Sequence, residues 1–187
     1  MRVLGLSGSL RADSHNTRLL RAAAPLLPPG AQLVLYEGLR EIPPFDDDVR
    51  RGQPRPGAVR ALEDAVRGAD AVLVATPEYN HSIPGQLKNA MDWLSRPLQT
   101  SALRHKPVAV VGASAGLFGA VWAQAELRKV LATIGAHVVD AELPVPQAHE
   151  AFTPEGALAE AELSEMLSAL LADLVAAAGA GREPMAA

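Results

Sequence analysis

The chain has 187 residues, 49% hydrophobic and 20% charged, which is enough for one well-packed globular domain and short for two. A formal net charge of −4 leaves no electrostatic footprint for nucleic acid. The absence of cysteine excludes thiol nucleophiles, disulfides, thiolate zinc sites and cysteine-ligated iron–sulfur clusters.

Arg2–Ser7 is a short apolar run and predicts a strand. Residues 17–27 predict a helix, with Ser14 or Asn16 available as N-cap. A second strand is expected over residues 31–36. Residues 42–56, proline-rich and carrying Asp46-Asp47-Asp48, predict a long solvated loop. Gly57–Arg67 predicts a helix closed by Gly68 in a left-handed cap. A third strand covers residues 70–75, and Pro84 opens a helix running to residue 94.

Pro107–Ala113 is the fourth expected strand, followed by a helix over residues 119–134 that Gly135 closes. Residues 136–143 predict the fifth strand. A last helix starts at Thr153-Pro154-Glu155, with Leu163, Met166, Leu167, Leu170, Leu171 and Leu174 at amphipathic spacing. One domain is expected over residues 1–177, with a frayed tail over 178–187. No run approaches the ~20 apolar residues that span a bilayer, and no signal peptide is read, so a cytoplasmic setting is expected.

Strands alternating with helices mark an α/β, doubly wound parallel sheet with helices on both faces. The five-stranded flavodoxin-like order 2-1-3-4-5 suits this length, and ligands then bind at the carboxyl ends of the strands. Three loops meet there. The first, residues 7–17, leads into a helix N-terminus and carries Ser9, Arg11, Ser14, Asn16 and Thr17. These groups can hold a phosphate monoester, although the loop also reads as an ordinary capped turn. It is neither Gly-x-x-x-x-Gly-Lys-Ser/Thr nor Gly-x-Gly-x-x-Gly, which counts against ATP and a Rossmann-bound dinucleotide.

The second loop, Thr76-Pro77-Glu78-Tyr79-Asn80-His81-Ser82, offers rigid backbone, a carboxylate, a flat ring and an amide. That set suits a flat, heteroatom-rich ring such as a flavin. The third, Gly112-Ala113-Ser114-Ala115-Gly116-Leu117-Phe118-Gly119, is either a plain Gly-rich connection or a close backbone approach to a ligand. The helix after it favours negative charge at its N-terminus, as a reduced flavin carries. The five histidines lack metal-ligand spacing, so structural or solvated roles are expected and no metal site is read.

Gly8-Ser9-Leu10-Arg11, Ser14-His15-Asn16, Pro77-Glu78-Tyr79-Asn80, Ile83-Pro84-Gly85, Leu87-Lys88-Asn89-Ala90, Asp92-Trp93 and the Gly-rich loop resemble the NADPH-dependent FMN reductase family. Ile42-Pro43-Pro44-Phe45-Asp46-Asp47-Asp48 is similar to that family's acidic loop. The resemblance implies bound FMN, NAD(P)H as co-substrate, and a homodimer or dimer of dimers. By position, Ser9, Arg11, Ser14, Asn16 and Thr17 would hold the FMN phosphate. Pro77, Glu78, Tyr79 and Asn80 would border the isoalloxazine, and Ser114 and Gly116 its pyrimidine end. Trp122 stands where many relatives have arginine, at a position tied to subunit contact or nicotinamide-phosphate recognition, and Leu117 stands where some relatives have arginine.

The reading implied is an NAD(P)H oxidoreductase that reduces FMN and then a small acceptor: a quinone, azo or nitro compound, metal oxyanion or free flavin. Hydride transfer requires no side-chain acid, so no catalytic side chain is assigned and a general-acid role for Glu78 is set aside. The alternatives are a reductase that releases reduced FMN and a flavodoxin-like electron carrier without pyridine-nucleotide activity. A carrier's docking surface is usually strongly acidic, and this chain is only mildly so.

Overall fold

The computed structural model describes residues 1–51 and 54–180. Strands β1 (Arg2–Ser7), β2 (Gln32–Tyr36), β3 (Ala71–Ala75), β4 (Pro107–Ala113) and β5 (His137–Val138) form a parallel sheet in the order β2-β1-β3-β4-β5. A short β6 (Pro144–Val145) pairs with the far end of β4. The helices are α1 (His15–Ala23), α2 (Asp47–Arg51), α3 (Gly57–Arg67), α4 (Gly85–Leu94), α5 (Val121–Ile134) and α6 (Ala161–Ala180).

Strand periodicity divides the interior into two cores. Leu4, Leu6, Val72, Val74, Val108 and Val110 face α3, α4 and α5. Val3, Ala71, Leu73, Ala75, Ala109 and Val111 face α1 and α6. Every residue of β3 and β4 is therefore buried, as central parallel strands require. The long helices supply stripes at helical spacing, such as Val59, Leu62 and Val66 on α3 or Ala123, Leu127 and Leu131 on α5. The architecture is the expected flavodoxin-like one, with a sixth short strand.

Local departures have local causes. Helix α1 starts at His15 with Ser14 as N-cap, and a 3-10 turn over Ala24–Leu26 replaces its expected last turn. Gly68 caps α3 in the right-handed region, at φ −75°; Gly135 takes the left-handed one, at φ 93°. The expected long loop after β2 contains α2, where Asp47 pairs with Arg50 and Arg51. The strand expected over residues 136–143 is reduced to β5, and β6 begins just past its expected end. Between them Arg128 donates to the carbonyls of Val139 and Ala141 and pairs with Asp140. A side chain thus replaces sheet pairing there.

The last helix begins at Ala161 rather than residue 153. A closed turn precedes it, with Gly156 at φ 92° donating to the Thr153 carbonyl and Thr153 donating to that of Ala157. Met166 is exposed on α6, outside the stripe expected to contain it. Helix α6 is long and apolar enough to cross a membrane by length and composition, which a search for uninterrupted apolar runs overlooks. Its Leu167, Leu170, Leu171 and Leu174 instead pack into the second core. It continues to Ala180; residues 181–187 of the expected frayed tail lie outside the described residues.

Candidate active site

The loops after β1, β3 and β4 enclose a cleft of about 410 Å³ at the carboxyl edge of the sheet. Of the residues singled out in the sequence, Ser9, Arg11, Ser14, Asn16, Pro77, Glu78, Tyr79, Ser114 and Gly116 line it. Thr17 and Asn80 do not. Thr17 faces an adjoining cleft and donates through Oγ1 to Ser7 Oγ at 2.9 Å. Asn80 occupies an exposed turn tip.

The first loop is braced by its own polar groups. Ser7 Oγ accepts from the Ser9 amide, and Ser9 Oγ accepts from the Arg11 amide. The Arg11 guanidinium donates through Nε to the Asp13 carbonyl at 2.9 Å, leaving part of its donor fork open. Ser14 is buried, and its Oγ accepts from the Thr17 amide at 3.3 Å. Asn16 is buried too and faces β4: Nδ2 donates to the Ala113 carbonyl at 2.9 Å, and Oδ1 accepts from the Ala113 amide at 3.0 Å. Both side chains therefore build the loop. In the first turn of α1 this leaves the amides of His15 and Asn16, for which a helix has no internal acceptor, facing the cleft end.

Sequence reading passed over His15, which lines the cleft. Its Nδ1 is buried without a hydrogen-bond partner among the described residues. Burial, then Arg11, Arg18 and His149, hold its pKa below the usual 6.5 against the opposing pull of Asp13. A buried polar atom without a partner beside open helix amides and an arginine suits an anionic oxygen ligand. No metal-ligand spacing marked His15, because its burial and the approach of His149 arise only on folding.

The second loop is a tight two-residue hairpin. Tyr79 and Ser82 exchange backbone hydrogen bonds at 3.0 and 3.1 Å, with Asn80 and His81 at φ 54° and 60°. This is type I′ geometry, for which asparagine is well suited. It leaves Tyr79, at 54% exposure, on the border of the cleft. Glu78 reaches the third loop instead. Its Oε2 accepts from the amides of Trp122 and Ala123 at 3.1 and 3.2 Å, in the first turn of α5. The expected free, positive N-terminus of α5 is thus already occupied by a carboxylate.

The third loop is anchored on the β6 segment. Ser114 donates to the Val145 carbonyl, Ala148 donates to that of Ser114, and Gln147 donates to that of Gly116. Gly119 is required where the loop turns: it has φ 57°, and a Cβ would lie 2.6 Å from Pro144 and Val145 backbone atoms. Gly116 differs, since the nearest atom to such a Cβ would be Ser114 Oγ at 3.8 Å. Packing therefore does not demand glycine at 116, where the loop lines the cleft. Anion donors at one end, a rigid turn with an aromatic ring along one side, and open backbone at the other fit FMN.

The family model for "NADPH-dependent FMN reductase" matches residues 1–150. The chain is 41% identical over 168 residues to an NAD(P)H-dependent FMN reductase of Pseudomonas aeruginosa, covering 89% of each chain. It is 39% identical over 140 residues to a quinone reductase of Escherichia coli, 75% of this chain and 74% of that one. Among solved structures, FerB of Paracoccus denitrificans, a flavoenzyme NAD(P)H:(acceptor) oxidoreductase, superposes with a TM-score of 0.83 at 33% identity. That match covers 96% of this chain and 97% of the other.

Proposed function

The chain belongs to the NADPH-dependent FMN reductase family, and from that premise we propose how its cleft carries the reaction. The protein is an FMN-dependent oxidoreductase that oxidises NAD(P)H and passes the electrons to a small-molecule acceptor. FMN supplies the hydride chemistry when bound, so the chain's residues hold, orient and tune it.

In this reading the amides of His15 and Asn16, Ser9 and the open part of the Arg11 fork take the phosphate. Ser14, Asn16 and Thr17 stand behind them, their side chains spent on the cap, on Ala113 and on Ser7. Pro77, Glu78 and Tyr79 border the ring system, with Asn80 shaping the turn beside it. Ser114 and Gly116 offer polar and backbone groups at the pyrimidine end. The carrying observation is that a helix N-terminus, a rigid turn and an open Gly-rich loop share one cleft.

A quinone is the proposed acceptor class, by analogy with the Escherichia coli quinone reductase and from the exposed aromatic border at Tyr79. A homodimer and a cytoplasmic setting belong to the same proposal. Support for the dimer comes from exposed Leu117, Phe118 and Trp122 beside the cleft.

The test is the visible spectrum of the purified protein, loaded with FMN where needed, on anaerobic addition of NADPH and then of a benzoquinone. Bleaching of the flavin band followed by its return on quinone addition is expected. A band untouched by NADPH and by NADH would leave an electron carrier. Failure to take up FMN at all would remove the site assignment.

A further inference from the structure

We infer that Glu78 is a positioning residue whose charged carboxylate locks two walls of the cleft together and holds down the reduction potential of the FMN bound there. The inference rests on the FMN reading above and assigns to one side chain a role that reading leaves open.

Helix α5 has no cap of its own. Its N-cap residue, Ala120, has no polar side chain and sits at φ 63°, following Gly119 at φ 57°. A helix entered this way leaves its first amides exposed, with a partial charge of about +0.5 at that end. Glu78, more than forty residues earlier in the chain, supplies the missing acceptor through a single oxygen bonded to both Trp122 and Ala123 amides. Its other oxygen lies 3.7 Å from His81 Nδ1. The side chain is only 13% exposed, so solvent screens this carboxylate weakly.

Two consequences follow. Mechanically, the loop after β3 cannot move away from the loop after β4 without uncapping α5. Asn16 fastens the first loop to the end of β4 in the same manner, so the cleft is assembled before any ligand arrives. Electrostatically, a full negative charge outweighs the positive end of α5. The local field at this wall therefore opposes the negative charge a flavin gains on reduction, the reverse of what an uncapped α5 would supply. A flavin kept low in potential passes electrons more readily to a weak oxidant.

Glutamine at this position can keep the bracket and remove the charge, because one oxygen makes both hydrogen bonds. Alanine removes both. The experiment compares Glu78→Gln and Glu78→Ala with the wild type in three ways: melting of the apo-protein, FMN dissociation constant, and midpoint potential of bound FMN by equilibration with reference dyes. E78Q is expected to melt with the wild type and to bind FMN within about threefold of it. Its potential should be more positive by about 30 mV, a tenfold shift in a two-electron equilibrium. E78A is expected to lower the apo melting temperature by about 2–4 °C and weaken FMN binding about tenfold.

An E78Q potential equal to that of the wild type overturns the electrostatic half. An E78A apo-protein as stable as the wild type overturns the bracket. A fall in kcat for E78Q at unchanged potential, with the alkaline limb of the pH profile lost, would make Glu78 a proton donor instead. Wild type that never takes up FMN is a different result, and it defeats the functional reading rather than the bracket.

Discussion

His15 shows how one side chain ties the cleft to pH. Its pKa is lowered in the folded protein, first by burial and then by Arg11 and Arg18, with Asp13 opposing. The unfolded chain, at the ordinary value near 6.5, takes up a proton that the folded chain resists. Stability from this residue is therefore fully present above pH 6.5 and is lost as pH falls through the lowered folded value. The apo melting temperature should drop between pH 7 and pH 5.5, and His15→Gln should flatten that part of the curve. Differential scanning fluorimetry over this range decides it: parallel curves for the two proteins would exclude His15 as the source. A bound phosphate dianion stabilises the imidazolium, so the FMN-loaded wild type should also show a shallower fall.

Between elements, the decisive contacts join residues far apart in the chain. Asn16 at the start of α1 meets both backbone groups of Ala113 at the end of β4. Asn16→Ala leaves that amide and carbonyl buried without partners, at a cost of about 1–3 kcal/mol for each group. Urea unfolding of the apo-protein should show at least about 2 kcal/mol lost, and FMN affinity should fall with it. Loss of affinity at wild-type stability would instead mean that the Asn16 amide binds the ligand. The strand and helix order was legible because apolar period and Gly/Pro punctuation are local signals. The shortening of the strand expected over residues 136–143 to β5 was not, since Arg128 on α5 takes over the carbonyls beyond it. Nor were the inward uses of Asn16 and Glu78, whose partners become neighbours only on folding. Sequence could say that these residues belong to the site's loops, but not that their side chains hold those loops together.

At the scale of the molecule, the large apolar side chains left in solvent are unevenly placed. Leu117, Phe118 and Tyr79 on the loops around the cleft and Trp122 in the first turn of α5 are all exposed, and Phe118 and Trp122 pack edge to face at 5.0 Å. His81 adds a second edge contact to Trp122 at 4.6 Å. Adjacent to them, Leu117, Phe118, Pro144, Pro146, Leu163 and Met166 line a further groove of about 410 Å³. A contiguous apolar rim is costly to leave hydrated, and two copies related by a twofold axis would cover it while closing each other's clefts to water. Positions where the family resemblance leads to arginine are here leucine and tryptophan, which favours apolar pairing over charge pairing at this rim. The wild type should therefore sediment as a dimer at micromolar concentration. Phe118→Glu combined with Trp122→Glu should give monomers whose apo fold is retained by circular dichroism. If the partner helps close the cleft, those monomers bind FMN about tenfold more weakly, a loss of ~1.4 kcal/mol. A wild type that stays monomeric at tens of micromolar, or a double variant that still dimerises, would move the interface away from this rim and leave its exposed aromatics to the acceptor.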